Sequence, residues 1–287
     1  MTDTTLDIAP DVPPPASGPH AELAAASPHG GELRAAIASE TTKLRSVRST
    51  VWTLFATIAA TIGLGALLAF ARVSRWDDMT RLDRLTFDPT AVSLRGVYLA
   101  QIALGVLGVL VISSEYSTGM IRTTFTAVPN RLRVLIAKVT VFTVAAAAVS
   151  LVASFAAFGI GQTIFASKGA EASLGDPGVL RAVAGSAVYL TAIGLIGLAL
   201  GTLLRRTAGA IATLFGLVLV APALAQALPS PWDADVSKFL PSGLGTALFS
   251  VRQKSDFLSP GTALAVLAAY VVVALALAAV VLERRDA

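Results

Sequence analysis

Six stretches of about 20 residues run without a single Asp, Glu, Lys, Arg or His, and each is built mainly from Ala, Val, Leu, Ile and Gly. A helix needs about 20 apolar residues to cross the hydrocarbon of a bilayer. The hydrocarbon admits only segments that satisfy their own backbone hydrogen bonds. The stretches fall at about 50–71, 96–114, 139–165, 182–204, 208–228 and 261–282. The chain is 55% hydrophobic and 14% charged, against about 25% charged residues in soluble domains, so it cannot coat a water-facing globule. The expected fold is all-α and polytopic, with six transmembrane helices and both termini on one side.

What flanks the spans is uneven. Residues 1–30 carry Pro10, Pro13, Pro14, Pro15, Pro19 and Pro28 among Ala, Ser and Asp, with no periodicity, which reads as a disordered tail. No basic stretch leads directly into an apolar run there, so it is not a cleavable signal. Residues 31–287 form one six-span membrane domain. From Glu32, Leu33, Ile37, Leu44 and Val47 recur at helical spacing, while Arg34, Glu40, Lys43, Arg45 and Arg48 fill the other face. That describes either an amphipathic interfacial helix lying at the bilayer surface or a plain helical lead-in to the first span. Lys and Arg near the span ends divide almost evenly between the two sides. The pair Arg205-Arg206, in the tightest loop, tips both termini toward the cytoplasm.

Several chemistries have no residues to carry them. The chain has no Cys, and its two His, His20 and His29, lie in the tail. None of the 23 Gly precedes Lys, so there is no phosphate loop, and no H-E-x-x-H occurs. No catalytic residue, metal ligand or cofactor is expected in this chain. Asp77, Asp78, Asp83 and Asp88 do not have calcium-loop spacing and sit among Arg75, Arg81 and Arg84, as a solvated surface would. The Lys and Arg are scattered without aromatic interleaving, which argues against nucleic acid. The spans offer only Gln101, Gln162, Gln226, Tyr189 and hydroxyls, which suit helix–helix hydrogen bonds better than an ion pathway. Gly194, Gly197 and Gly201 mark one face of the fourth span, for packing within the subunit or at a dimer seam.

Between the second and third spans the chain breaks into "EYSTGMIRTTFTAVPNRLRVLIAK", Glu115 to Lys138. Tyr116, Met120, Ile121, Phe125 and Val128 recur at roughly helical intervals, Gly119 permits close backbone approach, and Pro129 ends the helix. The residues alone allow a polar linker or a short amphipathic helix slung between two rigid spans.

The residues Glu115, Tyr116, Gly119, Ile121, Arg122, Thr123, Thr124, Pro129, Arg131 and Lys138 resemble the cytoplasmic loop of type-2 ABC transporter permeases, the exporter-class membrane subunits of bacteria. "SETTKLRSVRSTVWTL" (Ser39–Leu54) is similar to the family's helix before the first span. "KFLPSGLGTAL" (Lys238–Leu248) is similar to its segment before the last. Met120 departs from the pattern. The resemblance covers all but the tail and implies a permease subunit of an ATP-binding cassette exporter in the plasma membrane, with both termini cytoplasmic. Two permease subunits would form the pathway and alternate its access. A separate ATPase subunit would hold ATP and Mg and dock on a coupling helix carrying Glu115, Tyr116, Gly119, Ile121, Arg122, Thr124, Pro129 and Arg131. Glu40, Lys43, Arg45 and Arg48 would belong to the interfacial helix. The rival readings are an ATP-independent channel or carrier and a non-transporting membrane scaffold or sensor.

Overall fold

The structure, a computed structural model, describes residues 30–128, 130–252 and 256–284. The segment read as a disordered tail lies outside the described residues, except for its last residue, Gly30. Among the described residues there are no β-strands, and six helices are long and apolar enough to cross a membrane. α1 (Gly30–Ser46) leads into the first span, α2 (Arg48–Ser74). Two short helices, α3 (Arg81–Leu85) and α4 (Pro89–Ser93), precede the second span, α5 (Val97–Thr118). α6 (Met120–Ala127) connects it to the third, α7 (Arg131–Ala166), and α8 (Val179–Leu204) is the fourth. The fifth is α9 (Thr207–Phe215), a π-helical turn (Gly216–Val220) and α10 (Ala221–Gln226). α11 (Trp232–Ser237) and α12 (Pro241–Phe249) come before the sixth, α13 (Pro260–Arg284).

α8 is the hub. Its apolar stretch is 78% buried, against 22% for α2 and 11% for α13, so the first and last spans are outer helices. They present Trp52, Phe55, Val272 and Leu277 outward. The glycines of α8 explain the close packing at the centre. A Cβ on Gly197 would stand 2.2 Å from the Gly105 carbonyl oxygen, and one on Gly108 2.0 Å from that of Gly194. A Cβ on Gly201 would stand 2.7 Å from the Val109 carbonyl oxygen. The helices α5 and α8 therefore touch backbone to backbone. The small-residue face is consumed inside the subunit rather than at a dimer seam.

The element boundaries show where polar residues override hydropathy. α7 has 36 residues, about 54 Å at 1.5 Å per residue, well beyond the ~30 Å of hydrocarbon. It starts about two turns before the expected position because Asn130 caps it, its Oδ1 accepting the Arg133 N–H at 3.1 Å. α5 likewise runs on to Thr118, and Gly119 then ends it in the left-handed region at φ 74°. In the fifth span the π-helical turn sits just before Pro222, which has no N–H to offer the helix.

At the end away from α6, α12 is a buried helix. Pro241, Leu244, Leu248 and Phe249 are all in the core, and Arg181 donates to the Leu248 and Ser250 carbonyls at 3.1 and 2.9 Å. The Tyr98 hydroxyl bonds Thr246, and the Tyr189 hydroxyl donates to Gln101 Oε1. Gln162 bonds the Ser93 hydroxyl at 3.0 Å. Gln101, Gln162 and Tyr189 therefore make the interhelical hydrogen bonds expected of them, whereas Gln226 is exposed. The aspartates find different partners from the nearby arginine side chains. Asp77 pairs with Lys168 at 2.9 Å, and that hydrogen bond and charge hold its carboxyl below the usual carboxylate value. Asp88 caps α4 and accepts the backbone N–H groups of Val251 and Arg252.

The seam makes a direct prediction. Gly197→Ala should destabilise the folded protein by about 1–3 kcal/mol through overpacking. Gly63→Ala, where a Cβ meets nothing within 4 Å, should be neutral or slightly stabilising. Thermal denaturation in detergent distinguishes the two, and equal melting temperatures would contradict the backbone contact.

Candidate functional site

The end of the bundle that carries α6 holds the buried charged residues among those described, Glu40, Glu115 and Lys138. Glu40 and Lys43 are three residues apart on α1 and so share one helix face. That face turns toward the end of α5, where Glu115 sits, and the second turn of α7, where Lys138 sits. Lys138 Nζ lies 2.8 Å from Glu40 Oε2 and 2.7 Å from Glu115 Oε1. Lys43 Nζ lies 2.8 Å from Glu40 Oε1 and 2.9 Å from the same Glu115 oxygen. The Lys138 side chain is 0% exposed and that of Glu115 3%, while Lys43 keeps 31%. Two carboxylates and two ammoniums form a closed, neutral ring that staples α1, α5 and α7 together.

Removing each ion from water costs several kcal/mol, so the ring holds only because every charge meets its opposite at hydrogen-bond distance. Burial works against the charge of Lys43, but its hydrogen bonds to Glu40 and Glu115 and their attraction outweigh it. Its pKa therefore lies above the ordinary 10.5.

This arrangement revises the expected faces of α1. Glu40 and Lys43 lie on the side packed into the protein, with Ala36, whereas Arg34, Arg45 and Arg48 are exposed. A Glu–Lys pair can be buried because it meets a Lys–Glu pair of opposite order, which the three arginines do not. Glu115 is 2% exposed, so its carboxylate faces the clasp and not a surface.

α6 itself hangs from these anchors. Ile121 is buried at 3%, while Met120, Arg122, Thr123 and Thr126 are exposed and Thr124 is half-buried. Gly119 has open space around it, so its value is the left-handed turn between α5 and α6 and not close backbone approach. Pro129 lies outside the described residues. On the far side of α6, the Arg131 guanidinium lies 5.4 Å from the Phe125 ring and donates to the Leu282 carbonyl at 3.2 Å. Arg205 lies 5.2 Å from the Tyr116 ring and donates to the Val281 carbonyl at 3.5 Å. Both arginines thereby serve the exposed carbonyls at the end of α13.

The structure brings Glu40 and Lys43, expected in the interfacial helix, next to Glu115, expected with Tyr116 and Arg131 in the docking segment, and adds Lys138 and Arg205, to which the sequence reading assigned no role. Lys138 is an isolated Lys opening an apolar run, and Arg205 was read only as a marker of topology. Among the described residues no group of three or more His, Asp or Glu could hold a metal ion.

The ring predicts non-additive mutations. Lys138→Met leaves buried carboxylates short of a partner and should cost about 3–5 kcal/mol. Adding Glu40→Leu should restore part of that loss, a coupling of about 0.5–3 kcal/mol, read as melting temperature in detergent. Strict additivity would show that the four charges do not act as a unit. The pH response follows from Lys43. Its folded pKa lies above its unfolded one, so its stabilisation is fully present below pH 10.5 and is lost as pH rises through the folded value. Protection factors of the α1 amides, taken relative to the pH-dependent intrinsic exchange rate, should therefore be the same at neutral and mildly alkaline pH and fall only above that point.

No curated protein matches the chain. The family model described as ABC-2 family transporter protein matches residues 36–223, well over half of the 287 residues and inclusive of most of α1, all of α6 and the whole ionic ring. With its six membrane-crossing helices, the chain is a multi-pass membrane protein that belongs to the ABC-2 transporter family, whose members are membrane subunits of ATP-binding cassette transporters.

Proposed function

We propose that this chain is the permease subunit of an exporter and that α6 is the helix on which a cytoplasmic ATPase subunit docks. The observation that carries the proposal is mechanical. α6 is exposed along Met120, Arg122, Thr123 and Thr126, yet both of its flanking helices are locked to other elements. Through Glu115 and Lys138 they hold α1, and through Arg131 and Arg205 they reach the end of α13. A push on α6 would tilt α5 and α7 and carry α1 and α13 with them. The glycine seam would transmit the same movement into α8.

In this reading both termini are cytoplasmic, α1 lies at the inner bilayer surface, and a second permease subunit completes the pathway. Alternating access then results from ATP-driven closure of the partner subunits. At the opposite end, a cleft of about 810 Å³ lined by Arg72, Asp88, Arg95, Tyr98 and Thr246 would receive cargo on its way out. Membership of the ABC-2 family argues against an ATP-independent channel, because the energy source then sits in a partner chain.

The test uses the assembled complex. Arg122→Asp changes an exposed side chain on α6 and should leave folding intact while weakening ATPase association about tenfold, or about 1.4 kcal/mol. Pull-down of the ATPase subunit and transport-coupled ATP hydrolysis measure it. Gly119→Ala should act differently, straining the left-handed turn by about 1–2 kcal/mol and lowering coupling more than assembly. If substitutions at Met120, Arg122 and Thr123 together leave both assembly and transport unchanged, α6 is not the docking element.

A further inference from the structure

Between α1, α2, α5 and α7 lies a pocket of about 200 Å³, which Met120 at the start of α6 also lines. Val47, Leu107, Leu110, Val111 and Val141 give it an apolar wall, Ser49, Thr50, Thr53 and Ser114 add hydroxyls, and all four residues of the ionic ring line it too. Two hydrogen-bonding capacities of the ring are left open. Glu115 Oε1 is shared by both lysines, but Glu115 Oε2 is buried and has no hydrogen-bond partner. Lys43 has three N–H donors, and its two hydrogen bonds go to Glu40 and Glu115. It is also the one member of the ring with substantial exposure.

A buried carboxylate oxygen without a donor is costly. The space holds several groups of water size, given about 30 Å³ for each water. The combination calls for a ligand with an N–H donor for Glu115, an anionic group for Lys43 and an apolar chain for the walls. We infer that the pocket binds an amphiphile with a primary ammonium beside a phosphate, such as an ethanolamine phospholipid, its ammonium donating to Glu115 Oε2 and its phosphate meeting Lys43. The chain lies along Leu107, Leu110 and Val141. The orientation proposed above makes this the cytoplasmic leaflet, and binding itself does not depend on that orientation.

Such a ligand would be a resident bilayer lipid or the cargo, and the same chemistry recognises both. The experiment compares short-chain phosphatidylethanolamine with phosphatidylcholine of the same acyl length, added to the delipidated full-length protein and followed by melting temperature and native mass spectrometry. The choline headgroup has no N–H, so the ethanolamine lipid should bind at least tenfold more tightly. Glu115→Gln can keep an oxygen toward the lysines and present an N–H where Oε2 stood, so it should abolish that preference. Leu110→Trp fills the pocket without touching the ring and should remove binding of both lipids. Equal binding of the two lipids by the unaltered protein would overturn the inference, as would a preference that survives in Leu110→Trp. In vesicles with the ATPase subunit, a fluorescent ethanolamine lipid that crosses on ATP addition is cargo, and one that binds but stays in its leaflet is resident; both outcomes support the site. The α6 docking test reads ATPase association and ATP hydrolysis, whereas this one reads a headgroup preference of the permease alone, so the two readings fail separately.

Discussion

Lys138 begins the apolar length of the third span and has no route to water, so its ammonium is stable only where carboxylates reach it. Glu115 and Glu40 supply them from two other helices, and Lys43 balances the second negative charge. The position of α1 follows from this requirement. The helix is held against α7 by charge pairing more than by an apolar face, which explains why its most buried positions are Ala36 and Glu40. The end of α5 and the start of α7 are fixed by the same four residues, and the geometry of α6 between them follows.

The rest of the bundle uses a different constraint. Lipid gives apolar side chains little reason to leave it, so helix association depends on contact and on hydrogen bonds between helices. The glycines of α5 and α8 provide the first, bringing the two backbones together. Tyr189 with Gln101, Ser186 with Ser154 and Gln162 with Ser93 provide the second. The result is a close-packed centre, with the buried charges gathered at the α6 end.

Much of this was legible in the residue order. Charge-free runs located all six spans, and the missing phosphate loop and mid-membrane charges directed attention to an external energy source. The break at Glu115–Lys138 was visible as the densest mixture of charge, hydroxyl and glycine between spans. The misreadings have identifiable causes. Charge was treated as a marker of the outside, so the start of α7 was set too late and Glu40 and Lys43 were placed on the solvent face. Gly119 was read as a contact glycine because spacing does not reveal the sign of φ. Arg205 gave no signal, since its partners are a ring on α5 and a carbonyl on α13.

The sequence by itself determined the number of spans, the all-helical class and the short polar break that interrupts them, because lipid imposes length and composition residue by residue. Only the tertiary structure decided which charges are buried and which are exposed. Glu40, Lys43, Glu115 and Lys138 are spread over 98 residues of sequence between the outermost pair, and a charge becomes burial-tolerant only when a partner from another helix stands within about 3 Å. That condition is a property of packing, and no single stretch of the chain contains it.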